Sequence, residues 1–307
     1  MQHQPLSHHT ELRPHIPEDP TELPRDWLAR FLNPKGSGLL LVSGILAIIG
    51  IVGFAMRIAG GTTHREEWVY YAATLMFLFS TASAAPILSI ATRFTKGFWR
   101  KPLVRVAELY TLIGVLNLIL LFPLLGTLPP LEGRFSFWMP YLDKWCLPGT
   151  SACIGPGTGM VTWAPAWPTV VMVLAMVICG LGLLYTSIRP DMAAVRDLAP
   201  GKRNGIQAMI AGEWGGSTKQ WKILTNGLTY FGAFYLFAIV GVHYQFSVDF
   251  AISLVPGWRD PIFPAFHAIS SFQAGLATLV LTLAFMRYAG GYKDYLALDQ
   301  FWNPGKL

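Results

Sequence analysis

The stretch VGVHYQFSVDFAISLVPGWRDPIFPAFH, residues 240–267, places acid–base side chains between two long apolar runs. A neutral imidazole can accept a proton near physiological pH, and a nearby carboxylate can orient the ring or relay the proton. The alternative is a solvated loop whose polar groups only form hydrogen bonds at a membrane surface. The side chains concerned are His243, Gln245, Asp249, Arg259, Asp260 and His267.

The two histidines fall on consecutive predicted helices, near the same end of each. His243 has Ser247 four residues later on its face, and His267 is followed by Ser270 and Ser271 on one side of the next helix. Asp249 can act with His243 only if the helix ends between them; otherwise it acts with another helix. The pattern predicts a shared proton-accepting site, while simple interfacial hydrogen bonding remains the alternative.

The composition explains why these side chains stand out. Hydrophobic residues make up 53% of the chain and charged residues 13%, against about a quarter charged in ordinary globular proteins. Six runs reach the length of about 20 apolar residues that a membrane-spanning helix needs. The predicted fold is an all-α polytopic transmembrane bundle over residues 37–286, with polar segments at 1–36 and 287–307. The predicted spans run approximately from Gly38 to Ala59, Trp68 to Ala91, Leu103 to Leu125, Trp167 to Ile188, Leu228 to Val248 and Ile262 to Met286.

The basic residues predict the orientation, because short cytoplasmic loops retain Lys and Arg. Of 23 Lys and Arg residues, all but five fall in the N-terminal segment, the second and fourth connections, or after the sixth span. We therefore expect a cytoplasmic N-terminus and an outer face that carries the 240–267 stretch. Residues 1–36 lack the apolar core of a signal peptide, so the first span is the expected first anchor. The five exceptions are Arg57, Arg65, Arg134, Lys144 and Arg259.

Two other spans carry polar side chains that are expensive inside a membrane. Glu108 follows Arg105 at a helical spacing, which predicts either an internal ion pair or a proton-handling carboxylate. The second span has the small-residue run STASAAP, which favours close helix packing with a proline kink. Thr81 or Ser83 within this run could instead pass a proton or bind a ligand oxygen.

The outer connections hold further candidates. The segment GGTTHREEWVYY supplies His64 and Tyr70 beside charges that suit a docked protein, although Trp and Tyr are ordinary interface anchors. Cys146 and Cys153 lie in one outer loop, where they either form a disulfide or remain thiols. A metal site is disfavoured because two thiols without a nearby His do not complete a zinc set. No aromatic–basic pattern of nucleic-acid binding and no hydrolase or nucleotide-binding motif is present.

Three motifs resemble a known family. GVHYQFSVDFAISLVPGWRDPIFPAF resembles the fifth-to-sixth helix signature of the NrfD or polysulphide-reductase membrane-subunit family. WRKPLVRVAELYTL is similar to its third-helix entry, and LLYTSIRPDMAAVRD to the end of its fourth helix. The resemblance covers most of the chain beyond residue 68. The proline-rich start and the ending LDQFWNPGKL look most like the paired members found in alternative complex III, a quinol-oxidising assembly.

The resemblance implies a helical subunit of the bacterial cytoplasmic membrane, without its own cofactor. It would bind menaquinol or ubiquinol at the outer face, beside an iron–sulfur subunit, a homologous subunit and c-type cytochromes. In this first hypothesis we expect His64, His243, Asp249 and His267 to line the outer site, while Glu108 and Arg105 serve proton transfer. The candidate quinone contacts among the residues discussed above are His64, Tyr70, Thr81 and Ser83.

Departures from the family pattern support a second hypothesis. The second span has FLFSTASAAP where quinone-binding members have a Gly-His small-residue motif. The sixth span has AFHAISSFQAG where many relatives have a Tyr-Phe-Val run and then Gly-Ala after the Pro. The family also has further helices, and WNPGKL resembles the entry to one of them, so we expect the chain to be shorter than the family fold. The second hypothesis is a non-catalytic scaffold or proton-channel half paired with a quinone-binding homologue. Secondary transport is disfavoured because no inverted repeat is visible.

The predicted orientation places the docking surface for an electron-transfer partner on the outer face. Crosslinks from an iron–sulfur subunit should then reach Lys144, which lies in the long outer loop. Mass spectrometry of the crosslinked complex measures this directly. Crosslinks only to Lys202 or Lys219 would show that the orientation or the docking surface is wrong.

Overall fold

The structure is a computed structural model that describes residue 22 and residues 34–61, 68–97, 101–125, 145–146, 153–154, 167–198, 205–252 and 260–304. Within these ranges, six helical stretches are long and apolar enough to cross a membrane. The predicted all-α bundle with six spans is confirmed, and the chain is a multi-pass membrane protein. The spans are Leu41–Ala59, Val69–Phe94, Leu103–Leu125, Pro168–Asp197, Thr218–Phe250 and Phe263–Tyr288.

Some of the spans are built from more than one helix, and short helices lie between or after them. A two-residue antiparallel strand pair, β1 Trp145–Cys146 and β2 Cys153–Ile154, lies in the third connection. The helices are α1 Pro34–Ala59, α2 Val69–Thr81, α3 Pro86–Phe94, α4 Lys101–Leu109, α5 Thr111–Leu125, α6 Trp167–Leu198, α7 Ile206–Ala211, α8 Thr218–Phe250, α9 Phe263–Tyr288 and α10 Asp299–Trp302.

The second span is interrupted at residues 82–85, between α2 and α3. Pro86 has no N–H to donate, so the regular i to i−4 ladder cannot continue through it. Ser83 N–H instead reaches back five residues to the carbonyl of Leu78 at 3.3 Å. An interruption of this kind is tolerated in a membrane where the freed backbone is buried in protein or lines a water-filled cavity. Small side chains at the interruption leave room for α9, which approaches through Gly275.

Helices α6 and α8 extend beyond the predicted spans at the same end of the bundle. α8 begins at Thr218, ten residues before the predicted start at Leu228, because Ser217 and Gln220 form a capping box there. Arg196 of α6 donates to the carbonyls of Gly212 and Trp214, at 2.6 and 3.1 Å. This contact fixes the turn that leads from α7 into α8.

The largest cluster of buried apolar side chains joins α2, α3, α5, α6 and α8. Tyr235 of α8 and Phe79 of α2 are among its largest buried members. Helix α1 lies at the edge, since none of its most apolar window is buried. It contacts the bundle where Phe54 stacks on Tyr71 and where the Arg57 guanidinium lies 4.8 Å from the Trp68 ring.

The two ends of the bundle differ in their polar side chains. The end where α8 finishes and α9 begins also contains the start of α6, and we call it the histidine end. The opposite end contains Arg93, Arg105 and Asp191, and we call it the arginine end. The sequence predicts that the histidine end faces outward and the arginine end faces the cytoplasm.

The approach of α9 to the interrupted span predicts a glycine requirement. A Cβ on Gly275 would lie 2.7 Å from the backbone carbon of Ala84, so Gly275→Ala must separate α9 from the interruption. We expect a loss of about 1–3 kcal/mol in the free energy of unfolding. Reversible denaturation of the purified protein in mixed detergent micelles measures this loss. Gly50→Ala is the matched control, because a Cβ there has nothing within 4 Å; equal stability of the two variants would contradict the packing.

Candidate functional site

The fold brings His243 and His267 together at the histidine end, as predicted. Their ring centroids are 4.9 Å apart, with the rings nearly perpendicular. Ser271 of α9 lies with its Oγ 3.4 Å from His243 Nδ1, and Ser247 of α8 lies with its Oγ 3.3 Å from His267 Nδ1. Each imidazole therefore contacts the serine of the opposite helix. Because α8 ends and α9 begins at this end of the bundle and the two helices run in opposite directions, residues near these helix ends lie at one depth, which explains the meeting.

The two rings differ in burial. His243 is fully buried, whereas His267 is half-buried and stacks parallel to Phe263 at 6.3 Å. The Nε2 atom of His243 is buried and has no hydrogen-bond partner among the described residues. A buried polar atom without a partner is uncommon, because it costs free energy in an apolar environment. His243 Nε2 is therefore a candidate for contact with a ligand, as is Asn117 Oδ1, described below.

Asp249 contacts another helix and not His243, which is the second of the two alternatives that the sequence allows. Helix α8 continues to Phe250, so Asp249 is turned away from the face of His243. Its carboxylate accepts a hydrogen bond from the Thr169 hydroxyl of α6. Both side chains are buried, so the contact joins α6 to α8 at the histidine end.

At the arginine end, the predicted contact of Glu108 with Arg105 is present and belongs to a larger network. The fully buried Glu108 carboxylate accepts from Arg105 Nη1 at 3.1 Å and from Arg93 Nη2 at 3.0 Å. It also accepts from the hydroxyls of Ser89, at 2.8 Å, and Ser187. The four donors come from α3, α4 and α6, and they satisfy the lone pairs of the carboxylate.

Arg105 also links this network to Asp191. Its Nε donates to Asp191 Oδ2 at 2.5 Å, and both side chains are partly exposed, at 41% and 46%. The cluster thus pairs two guanidinium groups with two carboxylates. This geometry favours the internal ion pair; the proton-handling role of Glu108 stays a prediction.

A third polar group lies midway between the ends, at the interruption of the second span. Ser83 Oγ accepts from Asn117 Nδ2 at 3.0 Å, and the Ser83 carbonyl accepts from the Tyr235 hydroxyl at 2.6 Å. All three side chains are buried. Asn117 Oδ1 is also buried and has no hydrogen-bond partner among the described residues.

The other predicted contacts that the structure describes do not join the histidine pair. Tyr70 is 85% exposed on the surface of α2. Its neighbour Tyr71 instead turns inward and donates to the Leu120 carbonyl. Thr81 is buried, and its hydroxyl bonds the Phe77 carbonyl of its own helix at 2.6 Å. His64 lies outside the described residues.

The strand pair bears on the two loop cysteines. Cys146 and Cys153 are directly opposite in the antiparallel register. Opposed positions of this kind bring two Cα atoms to a separation that a disulfide can bridge. Their side chains lie outside the described part of the chain, so the choice between disulfide and thiols stays open.

Sequence reasoning missed the partners of Glu108 on other helices. A usable signal was present, because Ser89 and Arg93 are four residues apart, as are Ser187 and Asp191. At that spacing, both members of each pair share a helix face. Polar pairs near the same end of three spans would have predicted a shared network.

Sequence comparison adds no family to these observations: the chain matches no protein-family model and no curated protein. Within the described residues, fold and site together define a helical membrane protein with six spans, a pair of contacting histidines near one end and a neutralised carboxylate near the other. Among the described residues, no group of three or more His, Cys, Asp or Glu side chains could hold a metal ion.

The Glu108 network predicts a large stability effect. Glu108→Gln keeps the side-chain shape but removes the charge opposite Arg93 and Arg105, so we expect a loss of about 3 kcal/mol in the free energy of unfolding. Chemical denaturation in detergent micelles measures it, with the exposed Glu213→Gln as control. A Glu108→Gln variant as stable as the parent would show that the network does not hold the fold. Weakened proton uptake in that stable variant would then support the proton-handling role.

Proposed function

We propose that this chain is an NrfD-like membrane subunit of a quinol-oxidising complex of the alternative complex III type, and that quinol binds at the histidine pair. The observation that supports this function best is the buried His243 Nε2 without a partner among the described residues. A ring nitrogen that holds a lone pair inside a membrane protein is suited to accept a hydrogen bond from a hydroxyl. A quinol presents two such hydroxyls.

The chemistry needs proton acceptors and an electron acceptor together. Oxidation of one quinol to quinone breaks two O–H bonds and releases two protons and two electrons. In this proposal His243 accepts the first proton at Nε2, and the more accessible His267 accepts the second. The electrons pass to an iron–sulfur cluster of a partner subunit docked on the outer face, and the protons leave to the outer water.

The remaining features of the proposal follow from the family resemblance. The substrate is menaquinol or ubiquinol, the membrane is the bacterial cytoplasmic membrane, and the partners are an iron–sulfur subunit, c-type cytochromes and a homologous subunit. Asp249 acts at a distance from the rings, because its hydrogen bond to Thr169 orders α6 against α8. Its role is therefore to hold the wall of the site.

A second candidate function is supported by the polar groups between the two ends. Asn117 Oδ1 is a fully buried acceptor without a described partner, beside Ser83 and Tyr235. Polar groups midway through a bundle are typical of proton pathways. In this alternative the chain is a scaffold or proton-channel half, and a homologue binds the quinone.

Substitution of the histidines distinguishes the two functions. We expect His243→Ala to lower quinol-dependent electron transfer in the assembled complex by about 100-fold, the usual minimum effect of losing a general base. His267→Ala should lower the rate less, because its ring is more accessible, and Asp249→Asn least. Stopped-flow reduction of the complex by a short-chain ubiquinol or menaquinol measures the rate.

The control for these substitutions is Tyr244→Phe, which changes the residue next to His243 on the partly exposed surface of α8. This variant should retain the parental rate. Parental rates and unchanged pH dependence in all three site variants would contradict quinol binding here and favour the scaffold.

A further inference from the structure

We propose that Ser247 and Ser271 are positioning residues that act across the α8–α9 contact. Each fixes the tautomer of the histidine on the opposite helix, so that both imidazoles carry their proton on Nδ1 and present Nε2 as the acceptor. The use of Nε2 by quinol rests on the function proposed above. The positioning itself rests on the geometry of four side chains.

The same short pattern occurs on both helices. Ser247 follows His243 by four residues, and Ser271 follows His267 by four. Each serine hydroxyl donates to the carbonyl of the histidine in its own helix, Ser247 at 2.8 Å and Ser271 at 2.7 Å. The single proton of each hydroxyl is thereby committed to the backbone.

Because each serine proton is already donated to a carbonyl, each serine Oγ can only accept a hydrogen bond from a histidine ring. Ser271 Oγ lies 3.4 Å from His243 Nδ1, and Ser247 Oγ lies 3.3 Å from His267 Nδ1. An Nδ1 that carries a proton completes a hydrogen bond with such an oxygen, whereas a bare Nδ1 would place two lone pairs against each other. A neutral imidazole has one donor and one acceptor nitrogen, so a proton on Nδ1 leaves Nε2 as the acceptor. The hydrogen bond of one ring nitrogen thus sets the state of the other, as in other histidine sites.

This arrangement excludes the serines as proton relays. A relay would have to release its own proton toward a ring, but that proton points to a backbone carbonyl in both cases. A proton accepted at Nε2 must therefore leave from Nε2. Because His243 is fully buried and His267 is half-buried, the second ring stands closer to the surface through which protons depart.

A purely local role for the serines makes a different prediction. Serine often bonds the carbonyl four residues earlier in its own helix, without any function. Loss of such a bond would affect the histidine of the same helix. The proposal instead predicts a crossed effect, in which each serine controls the ring of the other helix.

Nuclear magnetic resonance of 15N-labelled histidines in the whole chain distinguishes the crossed role of the serines from the local role. The protein is labelled with 15N-histidine and reconstituted in lipid nanodiscs, and the signals of its seven histidines are assigned with His243→Gln and His267→Gln. We expect both site histidines to show a protonated Nδ1 in the parent. Ser271→Ala should convert the His243 signal to a mixture of tautomers, and Ser247→Ala should do so to a smaller extent for His267, because that ring also hydrogen-bonds the backbone of His243.

Two further variants serve as controls. Ser271→Thr retains a hydroxyl and should keep the parental tautomer of His243. Ser270→Ala removes the neighbouring hydroxyl and should change neither ring. A protonated Nε2 in the parent protein would by itself overturn the proposal. A change of tautomer confined to the histidine on the same helix as the substituted serine would overturn it in favour of the local role.

Quinol turnover tests the part that rests on the proposed function. In assembled complex, Ser271→Ala should lower kcat by about tenfold, the effect of losing one hydrogen bond of ordinary strength, with a smaller change in KM for a short-chain ubiquinol. Ser271→Thr should restore the rate. Crossed tautomer effects with parental turnover would support the positioning role of the serines and contradict quinol chemistry at the histidine pair. The experiments therefore distinguish failure of the positioning proposal from failure of the proposed function.

Discussion

The cost of burying a charge among apolar helices governs the arrangement of this protein. The Glu108 carboxylate has no exposed surface, and transfer of such a group out of water costs several kcal/mol unless partners neutralise it. Arg93, Arg105 and two serine hydroxyls supply those partners from three different helices. Helices α3, α4 and α6 must therefore meet at one place and in one rotation. In a membrane, where apolar side chains gain little by leaving lipid, such polar contacts and close packing specify the bundle.

At the histidine end most of the buried polar atoms are also paired, but one buried acceptor has no described partner. Ser247, Ser271 and each Nδ1 there have partners, while the buried Nε2 of His243 has none among the described residues. At the arginine end every lone pair of the carboxylate is occupied, so that network stabilises structure. An unfilled acceptor is what binding and proton transfer require. This difference is why the proposed chemistry lies at the histidine pair.

Local sequence predicted much of the fold, because the length of an apolar run decides whether a helix crosses a membrane. It also predicted the meeting of His243 and His267, since both lie near a short connection between consecutive helices. The start of α8 was misplaced because a capping box, not hydrophobicity, begins that helix. Contacts between distant helices were not predictable in this way. Thr169 with Asp249, and Ser187 with Glu108, depend on how helices rotate about their axes, which no local period encodes.

The choice between Tyr70 and Tyr71 shows the same limit. Both are aromatic residues at the same membrane depth, and only packing decides that Tyr71 turns inward to the Leu120 carbonyl while Tyr70 faces outward. Pro123 lies three residues after that carbonyl, inside α5. Proline has no N–H to donate to the carbonyl four residues earlier, which here is that of Ile119, next to Leu120. The Tyr71 hydroxyl supplies a donor to that turn of α5.

The most direct test of quinol binding at the histidine pair is a structure of the assembled complex with quinol bound under reducing conditions, determined by electron cryomicroscopy. We expect a hydroxyl oxygen of the quinol headgroup to lie about 3 Å from His243 Nε2, at hydrogen-bond distance, with His267 on the side toward the outer surface. A quinol headgroup held by another subunit or at the arginine end, with protein alone against His243, would contradict the proposal.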